Sequence, residues 1–355
     1  MTDTAQHAAA DVVPLAGRRL NVVEKPRHSL RAAVLSTALR YTVKPALATW
    51  ARTPAVLWPT GLLDSVCRLI PAPARTSVEK VDLPSCGAEL IRADVADQAD
   101  DHAMLYLHGG AFLVGGLNTH RGLAARISAT SGSAILNVDY RMMPRSPIGH
   151  AVADALDGYR WLLEAGYAPE RIVVAGDSAG GYLTFAVALA IRDAGLPLPA
   201  GLIAMSPLTD FDPDRKLDGG IGGSCAMFTH GAWRSFLSLV EAVERSLLDD
   251  EVTAAASLVD ADLTGLPTTL IQVGSDELVH TDGELMAIRL SRSDVECELQ
   301  IWEKQVHVFQ VALGLVPEAR EATREVGTFA RRATGTAARA RTARPRRRRS
   351  RAGVS

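Results

Sequence analysis

The sequence is poor in the features of disulfide-rich, secreted or membrane-spanning proteins. Its four cysteines lie far apart, with no CxxC pair and no histidine at ligand spacing, which argues against a disulfide framework or a zinc site. No apolar run reaches the roughly 18 residues of a membrane-spanning helix. The stretch Met1–Ala10 lacks the basic and apolar segments of a secretion signal. We therefore expect a cytoplasmic protein with reduced thiols and no metal.

Acidic residues are missing from one end of the chain. Residues 331–355 contain ten arginines and no Asp or Glu, and the whole chain carries −2, so residues 1–330 carry −2 − 10 = −12. An acidic body argues against a nucleic-acid partner, and the arginines have no aromatic residues between them to stack on bases. We expect residues 331–355 to be a disordered arginine-rich tail. Weak association with an anionic membrane surface is the alternative.

The rest of the composition is that of a globular protein with a large core. The chain has 355 residues, of which 47% are hydrophobic and 22% charged, enough for one large domain or two ordinary ones. Residues 1–25 are mixed and polar, and we expect a poorly ordered start. Residues 29–47 place apolar positions at helical spacing among basic ones, which predicts a basic amphipathic helix. Such a helix could pack on the body or lie on an anionic membrane.

Beyond residue 78, short apolar runs alternate with helical segments. The predicted strands are 88–95, 103–107, 134–139, 171–176, 202–205, 269–273 and 297–302. The predicted helices are 121–130, 152–165, 179–193, 233–247 and 283–291. Strands that are apolar on both faces and alternate with helices predict an α/β fold, with a mostly parallel sheet covered on both sides. The alternation fails between residues 207 and 266, which predicts an insertion covering a site.

The strongest chemical signal is a serine in a glycine-rich turn. Ser178 lies in Gly176–Gly181, which matches G-x-S-x-G between a predicted strand and a predicted helix. Such a turn is so tight that only glycine or alanine fits beside the serine, and it pushes the hydroxyl out above the sheet. The helix that follows presents free N–H groups to negative charge. The alternative is a glycine-rich turn with an idle serine.

A second small-residue turn follows the strand 103–107. The segment His108–Phe112 lets the backbone approach a substrate carbonyl closely, so its N–H groups and that of Ala179 could bind an oxyanion.

A serine nucleophile also needs a base, and the base needs an acid to orient it. His307 follows the last predicted strand, and Asp276 follows the strand 269–273, at the end where open sheets place their sites. On position alone, Glu277 and Asp282 are rivals for the acid.

With these motifs, the sequence resembles the hormone-sensitive-lipase-like branch of α/β-hydrolase esterases, also called HGGG-type carboxylesterases and lipases. The resemblance runs from Met104 to Phe309 and rests on motifs in family order, namely His108–Phe112, Asp139–Arg141, Gly176–Gly181, Gly274–Leu278 and His307–Phe309. It implies an α/β-hydrolase fold with an N-terminal helical cap and a serine esterase that needs no cofactor. It implies the nucleophile Ser178, the base His307, the acid Asp276, and the oxyanion-hole residues Gly109, Gly110, Ala111 and Ala179.

We accordingly expect a cap over residues 1–75, a catalytic domain over 76–330 that includes the insertion, and the tail. Three places depart from the family pattern: Ala111 replaces a usual glycine, Met142–Arg145 stands where the family usually has Leu-Ala-Pro-Glu, and Glu277 takes a place often held by proline. The expected reaction is hydrolysis of small-molecule esters with short to medium acyl chains, through an acyl-enzyme. The alternatives are a non-catalytic small-molecule receptor on the same scaffold, and an amidase or deacetylase with the same triad. The sequence does not predict the natural substrate or the oligomeric state.

Overall fold

A nine-stranded β-sheet forms the centre of the molecule. The computed structural model describes residues 19–54, 60–69, 71, 73–95, 101–218, 225–247 and 252–335. The strands are β1 Leu20–Lys25, β2 Thr76–Asp82, β3 Gly87–Ala93, β4 Ala103–Leu107, β5 Ala134–Asp139, β6 Ile172–Asp177, β7 Gly201–Met205, β8 Thr269–Gly274 and β9 Cys297–Trp302. Their order is β1-β9-β8-β7-β6-β4-β5-β3-β2, and all neighbours pair in parallel except β2 with β3 and β3 with β5. The mostly parallel sheet expected from the apolar runs is confirmed.

Helices cover both faces of this sheet. They are α1 Leu30–Tyr41, α2 Val43–Trp50, α3 Thr60–Cys67, α4 Leu117–Ser131, α5 Ile148–Glu164, α6 Ala179–Asp193, α7 Pro213–Asp218, α8 His230–Leu247, α9 His280–Arg292 and α10 Pro317–Ala333. On one face, Leu105 and Val174 pack in one core cluster with α5, α6 and α9. On the other face, Met104 and Val173 pack with α4 and α10. Strands buried on both sides cannot alternate apolar with polar residues, which explains their uniformly apolar sequences.

The N-terminal region differs from the prediction. Residues 20–25 form β1, which pairs with β9 at the edge of the sheet, so the expected poorly ordered start is wrong for these residues. Leu20 and Val22 pack against the main core, and this long-range contact is what orders the strand. Residues 1–18, like the tail beyond residue 335, lie outside the described residues.

The predicted helix over residues 29–47 is two helices. α1 ends at Tyr41 and α2 begins at Val43, with Thr42 between them. Pro45 causes the break, because its ring excludes the carbonyl of Tyr41 from a continuous helix and it has no N–H to donate. Ser29 caps the first of these helices, since its hydroxyl accepts a hydrogen bond from the N–H of Ala32.

The C-terminal helix extends beyond residue 330, into the segment expected to be a disordered tail. α10 runs to Ala333 and packs against α4, where Gly327 lies so close that a Cβ would overlap the carbonyl of Thr130. In the described part of the chain, no helix is both long and apolar enough to cross a membrane.

Candidate active site

Ser178 lies in a tight turn at the carboxyl end of β6. Its backbone has φ 52° and ψ −115°, a left-handed conformation rare for a residue with a side chain. The turn is held from both sides. The N–H of Ser178 donates to the carbonyl of Met205 at 2.9 Å, and a Cβ on Gly180 would overlap the carbonyl of Leu107. The close approach of the turn to β4 therefore requires glycine at position 180, as the motif predicts.

His307 contacts the hydroxyl of Ser178. Its Nε2 lies 2.8 Å from Ser178 Oγ, and the residue is 8% exposed. The loop after β9 holds it there, since Val308 adopts φ 49° and its N–H donates to the Oγ of Ser206 at 3.1 Å. The structure thus brings together Ser178 and His307, which the sequence places 129 residues apart.

The acid beside His307 is Glu277, and the prediction of Asp276 is wrong for this position. Nδ1 of His307 lies 2.7 Å from Oε2 of Glu277. The other oxygen of Glu277 accepts the N–H of Gly274 at 2.7 Å, which orients the carboxylate. Both ring nitrogens of His307 are therefore engaged, with Ser178 and Glu277. Asp276 is half-buried and hydrogen-bonded through its backbone to Gln305, whereas the Glu277 carboxylate is fully buried.

The remaining rival, Asp282, lies away from His307. Its carboxylate is buried in α9, where it contacts the ammonium of Lys216 at 2.5 Å. It therefore belongs to a different cluster from the one that contains Ser178.

The predicted oxyanion residues lie in two turns, one after β4 and one that contains Ser178. Gly110 has φ 122°, and a Cβ there would overlap the carbonyl of Val114. Ala111 has φ 55° and lines the same cavity as Ser178. Gly109 packs against the carboxylate of Asp177, where a Cβ would overlap Oδ2. Ala179 is the first residue of α6, so its N–H has no partner within the helix.

A buried charged pair lies beneath these turns. Asp177 accepts a hydrogen bond from the hydroxyl of Tyr106 at 2.5 Å and lies 3.5 Å from Nε2 of His120. Burial alone would lower the pKa of His120, but the carboxylate of Asp177 outweighs it and raises that pKa. Burial likewise favours a high pKa for Asp177, but His120 and Tyr106 outweigh it and lower the pKa. Each side chain therefore stabilises the charged form of the other.

His108 holds the first turn from below. Its ring stacks on Tyr140 with centroids 4.3 Å apart, and the Tyr140 hydroxyl donates to the His108 carbonyl at 2.6 Å. Burial and the nearby His120 lower the pKa of His108 to about 4, so the ring is neutral near pH 7. Its Nδ1 lies 2.8 Å from the carbonyl of Gly109, which can only accept, so Nδ1 carries the proton. This hydrogen bond fixes the backbone of the first turn.

A small apolar cavity opens onto Ser178 and His307. Its volume is about 50 Å³, and it is lined by Ala111, Ser178, Leu208, Phe228, Trp233, Phe236, Leu278, Val279 and His307. Phe228 meets the His307 ring edge-on, with centroids 5.2 Å apart. Among the described residues, no three His, Cys, Asp or Glu side chains are grouped to hold a metal ion.

No motif in the sequence identifies the aromatic residues of this cavity. Phe228, Trp233 and Phe236 lie in the segment 207–266, where the strand–helix alternation fails. The available signal is the apolar face of α8, on which Trp233, Phe236, Val240 and Val243 are buried at helical spacing. That pattern predicts a packed helix but not which of its side chains reach a site.

Comparisons with known proteins show which family the chain resembles. A family model described as the alpha/beta hydrolase fold matches residues 104–311. The chain is 41% identical over 297 residues to Esterase LipU of Mycobacterium tuberculosis, covering 82% of this chain and 99% of that protein. It is 36% identical over 309 residues to Carboxylesterase/phospholipase LipF of the same organism, covering 86% of this chain and 83% of that protein.

A solved structure gives the same result in three dimensions. The crystal structure of an esterase from the bacterial hormone-sensitive lipase family matches with a TM-score of 0.73 and 28% identity, covering 87% of this chain and all of that one. The resemblance carried by the motifs is thereby confirmed, and the chain belongs to the α/β-hydrolase fold family, in its hormone-sensitive-lipase-like branch of esterases and lipases.

Proposed function

We propose that this ester hydrolase is a serine carboxylesterase in which Ser178 is the nucleophile, His307 the base and Glu277 the orienting acid. One observation carries the proposal. A continuous hydrogen-bonded chain runs from Ser178 Oγ to His307 Nε2 at 2.8 Å, and from His307 Nδ1 to Glu277 Oε2 at 2.7 Å. This is the arrangement that activates a serine hydroxyl, which is nearly un-ionised at neutral pH.

The first half of the reaction forms an acyl-enzyme. The Ser178 oxygen attacks the ester carbonyl while Nε2 of His307 takes its proton. Buried Glu277 stabilises the imidazolium that forms and keeps Nδ1 protonated. When the C–O bond breaks, His307 gives its proton to the departing alcohol. In the second half, His307 takes a proton from water, the hydroxide attacks the acyl carbon, and Ser178 recovers its proton as the acid leaves.

The oxyanion is bound by backbone N–H groups of the two turns. Ala111 lines the cavity beside Ser178, and Ala179 begins the helix that follows it. We assign the donors to Gly110, Ala111 and Ala179, with Gly109 supporting the turn through its packing on Asp177. Donors of this kind contribute about two to three powers of ten in rate each.

The two alternative functions, a non-catalytic receptor and an amidase, are less well supported. A non-catalytic receptor has no use for a base and acid aligned with the serine, and here both are aligned. An amidase could use the same three residues, but the relatives are named as esterases and a carboxylesterase. Turnover of an ester compared with its matched anilide separates these two activities.

We propose that the segment 207–266 and the N-terminal helices together cover the site. Trp233 and Phe236 of α8 line the cavity directly. α2 supports this part of the chain, because the Lys44 ammonium donates to the carbonyl of Cys225 at 2.7 Å and Ser235 Oγ donates to the carbonyl of Ala51 at 2.8 Å. A substrate would therefore lie between the sheet and these helices.

We also propose a cytoplasmic location with peripheral contact to anionic membranes. All four cysteines are free thiols, as expected in a reducing compartment. On α1, the apolar side chains Leu30, Val34 and Tyr41 share one face and are 81%, 61% and 76% exposed. Exposed Arg31 lies beside this face, and residues 336–355 add eight arginines of matching charge.

Vesicle sedimentation tests the membrane contact. Phosphatidylserine vesicles should bind the wild-type protein, and Leu30→Ser/Tyr41→Ser and a chain without residues 336–355 should each bind less. Phosphatidylcholine vesicles should bind little of any of them. Equal binding to both lipids, or no loss in either variant, contradicts the proposed contact.

The nucleophile is tested by Ser178→Ala with p-nitrophenyl butyrate. The expected loss in kcat is about five to six powers of ten, since removing the nucleophile disables the whole unit. Ser65→Ala is the matched control, because this exposed serine donates to the carbonyl of Gly61 within its own helix. The control should keep wild-type activity, and both variants should keep the wild-type circular dichroism spectrum. Turnover retained by purified Ser178→Ala overturns the assignment.

A further inference from the structure

A buried lysine lies behind the wall of the active-site cavity. Lys216 of α7 is 2% exposed, and its ammonium lies 2.5 and 2.6 Å from the two carboxylate oxygens of Asp282 in α9. It also donates to the carbonyl of Asp210 at 2.6 Å. Asp282 in turn accepts the N–H groups of Thr209 and Asp210 at 2.8 and 3.1 Å. The Lys216 ammonium is therefore held in place by the carboxylate of Asp282 and the carbonyl of Asp210.

The same ammonium lies over the indole ring of Trp233. The distance from Nζ to the ring centroid is 4.4 Å, which is within the range of a cation–π interaction. Trp233 is 5% exposed, packs against Phe236 with ring centroids 5.3 Å apart, and lines the cavity that contains Ser178. One indole thus contacts the site on one side and a fixed cation on the other.

The proposed chemistry does not use this ion pair. Lys216 and Asp282 are absent from the lining of the Ser178 cavity, and Ser178, His307 and Glu277 form a separate chain. A buried ion pair is also a poor source of stability, because removing two charges from water offsets most of their attraction. The ammonium of the pair does contact the indole of Trp233.

We propose that Lys216 is a positioning residue that limits the length of the acyl chain, by holding the Trp233 indole in place as the wall of the cavity. The inference rests on the proposed function, since it takes the Ser178 cavity as the acyl site. The acyl group stays bonded to Ser178 while the alcohol leaves, so the apolar cavity beside Ser178 suits the acyl chain. A volume of about 50 Å³ holds roughly three or four water-sized groups, which corresponds to a short acyl chain.

The test is the ratio of kcat/KM for p-nitrophenyl octanoate to that for p-nitrophenyl butyrate. Trp233→Ala removes the wall and should raise this ratio about tenfold. Lys216→Met/Asp282→Asn removes both charges while leaving the indole, and should raise the ratio in the same direction by a smaller factor. Adding these two substitutions to Trp233→Ala should raise it no further, because they act through the same side chain. Lys80→Met, at an exposed position of β2, is the control and should keep the wild-type ratio.

Two results overturn the inference. One is an unchanged ratio in Lys216→Met/Asp282→Asn, and the other is a loss of activity that is equal for both esters, which is the mark of a merely structural pair. If that variant does not fold, Lys216→Gln takes its place, because glutamine retains a donor to Asp282 but carries no charge. A higher octanoate-to-butyrate ratio in Lys216→Gln supports the inference, and an unchanged ratio overturns it. Failure of the proposed function is recognised separately, because Ser178→Ala would then still hydrolyse butyrate.

Discussion

The turns that follow β6 and β8 place their functional side chains by different physical means. Around Ser178 the backbone packs against β4 so closely that a single added carbon at Gly180 would overlap the carbonyl of Leu107. Around Glu277 the constraint is a hydrogen bond, from the N–H of Gly274 to one carboxylate oxygen. Ser178 is therefore positioned by steric packing of the main chain, and Glu277 is positioned by a hydrogen bond to its side chain.

The largest effect is expected from Glu277→Gln, in the turn that follows β8. The amide cannot stabilise the imidazolium of His307 and favours the wrong tautomer, so kcat should fall by about four powers of ten. Asp276→Asn changes the neighbouring carboxylate, which is half-buried and does not contact His307, and should change kcat less than tenfold. Hydrolysis of p-nitrophenyl butyrate by the two purified variants measures both effects. Equal losses, or the larger loss in Asp276→Asn, contradict the comparison.

Gly180→Ala should distort the turn that contains Ser178. The added methyl group must displace the backbone, and we expect a loss of about 3 kcal/mol in the free energy of unfolding. Activity should fall by about a hundredfold, because displacement of the nucleophile by an ångström has that effect. Chemical denaturation and ester hydrolysis measure the two quantities.

Gly122→Ala is the matched control for that substitution. A Cβ at Gly122 in α4 meets nothing within 4 Å, so alanine should stabilise the helix by about 0.5–1 kcal/mol and leave kcat unchanged. A Gly180→Ala protein as stable and active as this control would show that the turn is not sterically constrained.

The two turns also differ in how far they can be predicted from the sequence. The glycines around Ser178 are required by local contacts, so their spacing is visible in the sequence. Asp276 and Glu277 are adjacent carboxylates, and only the direction of the folded chain decides which one faces His307. Glu277 is the longer of the two, and its backward hydrogen bond to Gly274 is a tertiary detail that residue order does not reveal.

The same distinction applies to the rest of the fold. The strands β4, β5 and β9 lie at their predicted bounds, because each is a short apolar run between clear breaks. β1 is ordered by its pairing with β9 at the far end of the chain, which no local pattern encodes. The wall residue Trp233 lies on a predicted helix, but its contact with the cavity depends on how that helix packs.

The buried pair of His120 and Asp177 lies beneath the turn that contains Ser178. Its contribution to the free energy of unfolding should depend on pH. The pKa of His120 is raised above its unfolded value, so its stabilising effect is complete below about pH 6.5 and is lost as the pH rises through the folded pKa. The pKa of Asp177 is lowered, so the Asp177 contribution is lost only in acid. His120→Gln should therefore reduce the free energy of unfolding by about 2 kcal/mol at pH 6 and by less at pH 9. A loss that is the same at both pH values contradicts the charged pair.

The smallest expected effect concerns the contact between α3 and the start of α4. The Asp64 carboxylate of α3 accepts the N–H of Thr119 at 2.8 Å and the side-chain amide of Asn118 at 2.6 Å, at the start of α4. Asp64→Ala leaves these donors unpaired and should lower the free energy of unfolding by about 1 kcal/mol. Thermal or chemical denaturation against Ser65→Ala on the same helix measures it, and equal stability of the two variants contradicts this role.

The proposed mechanism requires that Ser178 is the nucleophile and that His307 and Glu277 activate it. Mass spectrometry after reaction with a p-nitrophenyl dialkyl phosphate tests it directly, because a phosphoryl group transferred to the nucleophile stays there. We predict one dialkylphosphoryl group per chain, on the peptide that contains Ser178, with much slower labelling of Glu277→Gln and normal labelling of Asp276→Asn. A label on another residue, or labelling of Ser178 at an equal rate in all three proteins, would contradict the claim.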